Sequence, residues 1–139
     1  QGAREKMKIV LDTNVFVSGV FFSGPPYQIL KAWRNQMFQI VISPEILDEY
    51  HRVGKELTDR YPGVDLDPIL KLIIAKGELI EAASIDEAVC DDPDDDKFFA
   101  SAIAGEAMLI VSGDKHLLKM SGYQGIEVIR PRQFVDKYI

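Results

Sequence analysis

The stretch KIVLDTN, residues 8–14, decides the reading: an apolar, β-branched run stops at one acid, Asp12, followed by Thr13 and Asn14. A short run of that kind, bounded by turn formers, reads as a buried strand. An acid at its end has an ordinary explanation, because Asp and Asn bond their own backbone and commonly end strands. That explains one acid. It does not explain acids that recur at the ends of later elements.

Working outward, similar runs appear as FQIVI (38–42), ELIEA (78–82), MLIV (108–111) and IEVI (126–129). Helix signals separate them. Pro25 and Pro26 open a helix through Gln36, Ser43 and Pro44 open a second, and DLDPILKLIIAKG (65–77) is a third closed by Gly77. Further helices fit 95–106, 115–120 and 131–138. Strands alternating with helices predict an α/β fold with a parallel sheet, right-handed crossovers and helices on both faces. Ligands of such sheets collect at the carboxyl ends of the strands, where strand order reverses. Asp12 sits at such an end.

With 139 residues, 47% of them hydrophobic, and no shift in composition, the chain predicts one domain over residues 7–139. Residues 1–6, QGAREK, carry no pattern and are set aside as a tail or cloning remnant ahead of Met7. The net charge of −6 and pI near 4.9 oppose bulk attraction to nucleic acid. Sixteen Lys and Arg, or bound divalent cations, are the local remedies. A single cysteine, Cys90, excludes an intramolecular disulfide, and no long apolar span occurs, so a cytoplasmic protein without a membrane segment is expected.

Counted at 100° per residue, Ile46, Leu47, Tyr50 and Val53 form the apolar arc of the helix that opens at Pro44. Asp48 falls opposite and Glu49 at the arc's edge, where a surface role and a site role are equally compatible with position. Asp96, Ala100, Ile103 and Ala107 share a stripe, which makes Asp96 the head of a core-facing row. Helix capping accounts for one or two of Asp91, Asp92, Asp94, Asp95 and Asp96, not for all of them. Ser112 and Asp114 follow the strand 108–111 much as Thr13 and Asn14 follow the first. If these strands are neighbours at the switch point, Asp12 and Asp114 converge, and Glu49 and Asp96 reach the same crevice. Like charges about 4 Å apart repel by roughly 4 kcal/mol at an effective dielectric near 20, so such a cluster needs a proton or a cation. Oxygen donors with few His or Cys suit Mg²⁺ or Mn²⁺.

Together LDTNVFVSG, SPEILDEYHRV, CDDPDDDKFFASAIA and VSGDKHLL resemble the ordered motifs of PIN-domain nucleases over nearly all of residues 8–130. The resemblance is strongest to the subgroup of toxin–antitoxin toxins related to VapC. It implies a three-layer domain whose five-stranded parallel sheet has the order 3-2-1-4-5. It also implies metal-dependent RNA cleavage, with Asp12, Glu49, Asp96 and Asp114 as catalytic and metal-binding acids and Asn14 and Ser112 as polar support. RNA as substrate, a cognate antitoxin protein and a homodimer come with the same resemblance. One position departs: many members carry another acid where this chain has His116. The competing expectation is a non-catalytic PIN-fold module that binds RNA or a protein partner. Trp33 with Ile29 and Leu30 reads as a buried helix face, Cys90 as a small buried hydrophobe and His51 as exposed. Position 14 is Asn, which disfavours a dehalogenase-type phosphatase, and no GxxxxGK[ST] loop exists.

Overall fold

Ile9, Val10 and Leu11 of strand β1 (Lys8–Leu11) are all fully buried. Successive strand residues point to opposite faces, so the sheet must be covered on both sides. The computed structural model describes residues 6–81 and 93–139. After β1 come α1 (Thr13–Phe21), α2 (Pro25–Arg34), β2 (Gln39–Ile42), α3 (Pro44–Arg60), α4 (Asp67–Lys76) and β3 (Glu78–Leu79). The second described segment supplies a 3₁₀ turn (Pro93–Asp95), α5 (Asp96–Gly105), β4 (Leu109–Val111), α6 (Lys115–Leu118), β5 (Glu127–Ile129) and α7 (Pro131–Tyr138). Cys90, Asp91, Asp92 and most of the 1–6 tail lie outside the described residues.

The five strands are parallel in the order β3-β2-β1-β4-β5, flanked by the helices. Strand order therefore reverses around β1, whose two neighbours are β2 and β4. Leu11 is opposite Val111, and the next rung continues beyond the strands: the Asp12 N–H donates to the Val111 carbonyl at 3.0 Å. Helix α5 lies against β1, β2 and β4. Its close approach depends on Gly105, where a Cβ would stand 2.4 Å from Val41 Cγ1. Gly19 serves α1 similarly, since a Cβ there would meet Leu30 of α2 at 2.7 Å.

Two departures from the sequence reading bear on the site. Helix α1 starts immediately after Asp12, in a stretch to which the sequence reading assigns no helix, because TNVFVSGVF is β-branched and aromatic and shows little helical polarity. It is buried at Thr13, Val15, Phe16, Val17 and Gly19, so tertiary packing rather than propensity sustains it. The row headed by Asp96 is not the core face of α5: Ile103 is 38% exposed, whereas Phe98, Phe99, Ser101, Ala102 and Gly105 are buried. Ala100 and Ala107 are buried as expected, and Asp96 itself is half-buried. Strand β3 is also shorter than ELIEA suggested. Among the described residues no helix is long and apolar enough to cross a membrane.

Candidate active site

Because β1 and β4 pair in register, the residues just past their ends fall side by side. Asp12, only 6% exposed, accepts a hydrogen bond from Ser112 Oγ at 2.7 Å. The same Ser112 oxygen accepts from the Asp114 backbone N–H at 3.0 Å. Ser112 thus links the Asp12 carboxylate to the backbone of Asp114 across the two strand ends. The Asp114 carboxylate faces its own loop, accepting the His116 N–H at 2.8 Å and so capping α6.

Glu49 arrives from the other neighbour. Ser43 caps α3 by accepting the Ile46 N–H at 3.3 Å, and Tyr50 anchors the helix by donating to the Leu11 carbonyl at 2.6 Å. Tyr50 is fully buried and its ring stacks on Phe16, with centroids 4.1 Å apart. Burial, with the charges of Asp12 and Glu49, pushes the Tyr50 hydroxyl well above its usual range, so it stays a neutral donor. One residue earlier, Glu49 Oε1 accepts from the hydroxyl of Thr13, the residue after Asp12.

The electrostatics of the two acids differ. Glu49 Oε2 is 3.0 Å from Lys97 Nζ and 3.5 Å from Arg52, so its charge is offset. Lys97 also reaches the Asp94 carboxylate at 3.1 Å and the Asp94 carbonyl at 2.8 Å. Burial pushes the Lys97 ammonium down, but its hydrogen bonds to Glu49 and Asp94 outweigh this and hold it above its usual value. Lys97 in turn holds the Asp94 carboxyl below the ordinary range. Asp12 has no cation beside it among the described residues. Burial raises its pKa, Ser112 opposes that shift, and the charges of Asp114 and Glu49 add to it.

Of the acids singled out in the sequence, Asp12 and Asp114 are linked through Ser112, and Glu49 joins through Thr13. Asp96 is the half-buried first residue of α5, next to Lys97. Asn14 is exposed, on the outer side of α1. Among the described residues no three Asp, Glu, His or Cys side chains form a preassembled metal cage. Sequence reasoning passed over Thr13 and Lys97. Thr13 entered only as a small polar residue following Asp12, and Lys97 sat in an acidic run whose sign drew attention away from its one cation.

A parallel sheet whose order reverses at β1, with Asp12 and Asp114 brought together at the strand ends, defines an α/β protein of the open-sheet class. Residues 8–116 match the PIN domain family, and the chain belongs to it. Its fold is therefore of nuclease type. The uncharacterised protein MJ1680 of Methanocaldococcus jannaschii is 30% identical over 146 aligned positions, spanning 96% of this chain and 92% of that protein.

Proposed function

We propose that the protein is a Mg²⁺- or Mn²⁺-dependent endoribonuclease, acting as the toxin of a toxin–antitoxin pair. The observation that carries the reading is Asp12, a buried carboxylate with raised pKa and, among the described residues, no cation beside it, bound to the serine that also holds Asp114. A carboxylate so placed gains most from a bound cation, which offsets both its desolvation and its repulsion by neighbouring acids. The donors fit such an ion, being carboxylate and hydroxyl oxygens without thiolates. Asp12 and Asp114 would hold it, with Asp96 and Glu49 completing the acidic rim. When bound, a divalent cation supplies an activated water and offsets charge on the scissile phosphate.

The chain's own groups do the rest. Ser112 donates to Asp12 and so favours its ionised, ligating form. Tyr50 fixes the start of α3 against the end of β1. Thr13 and Lys97 hold the Glu49 carboxylate close to Asp12, where it orients water and can accept a proton from it. The test is cleavage of a labelled single-stranded RNA with Mg²⁺, Mn²⁺ or EDTA, comparing the parent with Asp12→Asn. Metal-dependent cleavage lost in the variant supports the reading, and metal-independent cleavage equal in both sinks it.

A second reading is a non-catalytic module binding RNA or a protein partner. The offsetting of Glu49 by Lys97 favours it, because a lysine then does part of a metal's electrostatic work. Binding without cleavage in any metal would select this reading. The toxin role has its own test: expression should arrest growth, and co-expression of the neighbouring gene's product should relieve the arrest.

A further inference from the structure

Helices α1 and α3 run side by side from the site outward. They meet at Thr13 and Glu49, at Phe16 and Tyr50, and finally at Phe22 and Tyr61, whose rings pack edge to face with centroids 5.2 Å apart. Between them lies a groove of about 240 Å³, bordered by Asn14 and Ser18 on α1 and by Val53, Glu56, Leu57 and Arg60 on α3. It opens at Asn14, one residue beyond Thr13, and its wall on α3 runs roughly 10 Å from Val53, one turn past Glu49, to Arg60, at 1.5 Å per residue. At its far end Phe22 and Tyr61 are 44% and 42% exposed. Phe21 also packs on Tyr61, with centroids 6.3 Å apart, and the Phe22 and Tyr61 rings still keep surface open to solvent.

We propose that this groove is the binding track for single-stranded RNA leading to the acidic site, an inference that rests on the nuclease reading above. Exposed aromatic rings stack unpaired bases irrespective of sequence. Arg60, which makes no ion pair among the described residues, offers a cation for a backbone phosphate. Glu56 lies one helical turn before Arg60, so bulk charge does not draw a polyanion into the groove, and stacking carries the larger share of binding. Asn14 and Ser18 offer an amide and a hydroxyl for ribose hydroxyls between the stacking end and the acids. The exposure of Asn14 and its place at the groove mouth make it a substrate contact rather than a buttress for Asp12.

The test is anisotropy of fluorescein-labelled octauridylate in EDTA, so that binding is read apart from metal-dependent cleavage. Tyr61→Ala should weaken binding roughly tenfold, while Tyr61→Phe, which keeps the ring, should bind like the parent. Arg60→Gln should weaken it several-fold and reduce the salt slope by about 0.7, the value for one phosphate contact on a single strand. Lys71→Gln, on the exposed face of α4, should leave the Kd within about twofold, as expected for a charge away from the track. Octathymidylate should bind more weakly, and equal binding would overturn the assignment to RNA. If the parent binds but Tyr61→Ala and Arg60→Gln bind equally well, the groove is free for a peptide and the proposal falls, whatever the cleavage assay gives. Absence of binding by the parent up to about 100 µM, the weak end of non-specific affinities, also overturns it. Groove-dependent binding with no cleavage in Mg²⁺ or Mn²⁺ keeps the track and removes the enzyme.

Discussion

The Tyr50 hydroxyl donates to the Leu11 carbonyl at 2.6 Å, which places the residue after Glu49 against the residue before Asp12. One hydrogen bond therefore sets the spacing of two acids carried by different elements. Tyr50→Phe keeps the stacking on Phe16 and removes only this bond, so urea unfolding should show a loss of about 1 kcal/mol. RNA cleavage should fall further than stability alone explains, with Mn²⁺ affinity lowered less than turnover. Equal activity of parent and variant would show that Glu49 is positioned by Thr13 and Lys97 without help from Tyr50.

Asp12 gives the metal-free protein a pH dependence of defined sign. Its folded pKa lies above the ordinary carboxylate value, so between the two values the folded state holds more protons than the unfolded state. Stability from this group is greatest below the unfolded pKa, near 4, and declines as pH rises through the folded pKa. Ser112 favours the ionised form, so Ser112→Ala should raise the Asp12 pKa further and extend the decline to higher pH. Asp12→Asn should abolish that part of the slope. Thermal melts in EDTA across pH 4–8, a range spanning the carboxylate and histidine values, read all three. The same slope in parent and Asp12→Asn would mean that other groups produce it.

How much of this was legible beforehand varies with the kind of signal. The α/β class followed from strand runs alternating with Pro-opened helices, and the β1 to β4 adjacency from the motif resemblance. The class survives because buried parallel strands and N-terminal prolines are local signals, whereas the adjacency is a long-range pairing that rested on the ordered motifs. Helix α1 was not legible, since a buried helix built from Val, Phe, Thr and Gly has no polar face to mark its period. The α5 row failed for a related reason: with Phe98, Phe99, Ala100 and Ala102 all apolar, several stripes fit, and Gly105 against Val41 chose among them. The hydrogen bond between Thr13 and Glu49 spans 36 positions and the one between Ser112 and Asp12 spans 100, which no sequence window contains.

Lys97 is the cation that sequence reading missed, and its removal should be informative. Its side chain and that of Glu49 are 13% and 15% exposed, so the pair lies between surface and core. Lys97→Met should destabilise the metal-free protein by about 1–3 kcal/mol, leaving Glu49 with Arg52 alone. Millimolar Mn²⁺ should restore more stability to this variant than it adds to the parent, because Glu49 becomes free to share the ion. Calorimetry that finds identical metal affinity and stoichiometry in both would show that Lys97 does not compete with the metal.

The acids should be unequal in catalysis. Asp12→Asn and Asp114→Asn should each lower the cleavage rate by about a hundredfold or more, as expected when groups that stabilise developing charge are removed. Glu49→Gln should lower turnover more than metal affinity. Asp48→Asn, exposed on the far side of α3, should stay within about twofold of the parent, the scatter of a substitution remote from the site. Similar losses in all four variants would point to diffuse acidity rather than a defined centre.

A metal site should also leave a thermodynamic trace that needs no knowledge of the RNA target. Without metal, ionised Asp12 is buried beside Asp114 and Glu49 with no cation of its own among the described residues, so neutralising it relieves repulsion. The metal-free Asp12→Asn variant should therefore melt no lower than the metal-free parent, provided Ser112 still finds a partner in the new amide. Metal reverses the order. An ion that binds only the folded state stabilises it by about 2.7 kcal/mol at a hundredfold excess over Kd, and the variant should lose most of that gain. Mn²⁺ is the better probe, because Mg²⁺ sheds its waters reluctantly. Lowering the pH should weaken the Mn²⁺ effect from above the ordinary carboxylate range downward, since protons compete for an Asp12 whose pKa is raised. If Mn²⁺ shifts the parent and Asp12→Asn equally, or shifts neither, the buried carboxylate after β1 is a structural acid hydrogen-bonded to Ser112, and the metal-dependent mechanism fails.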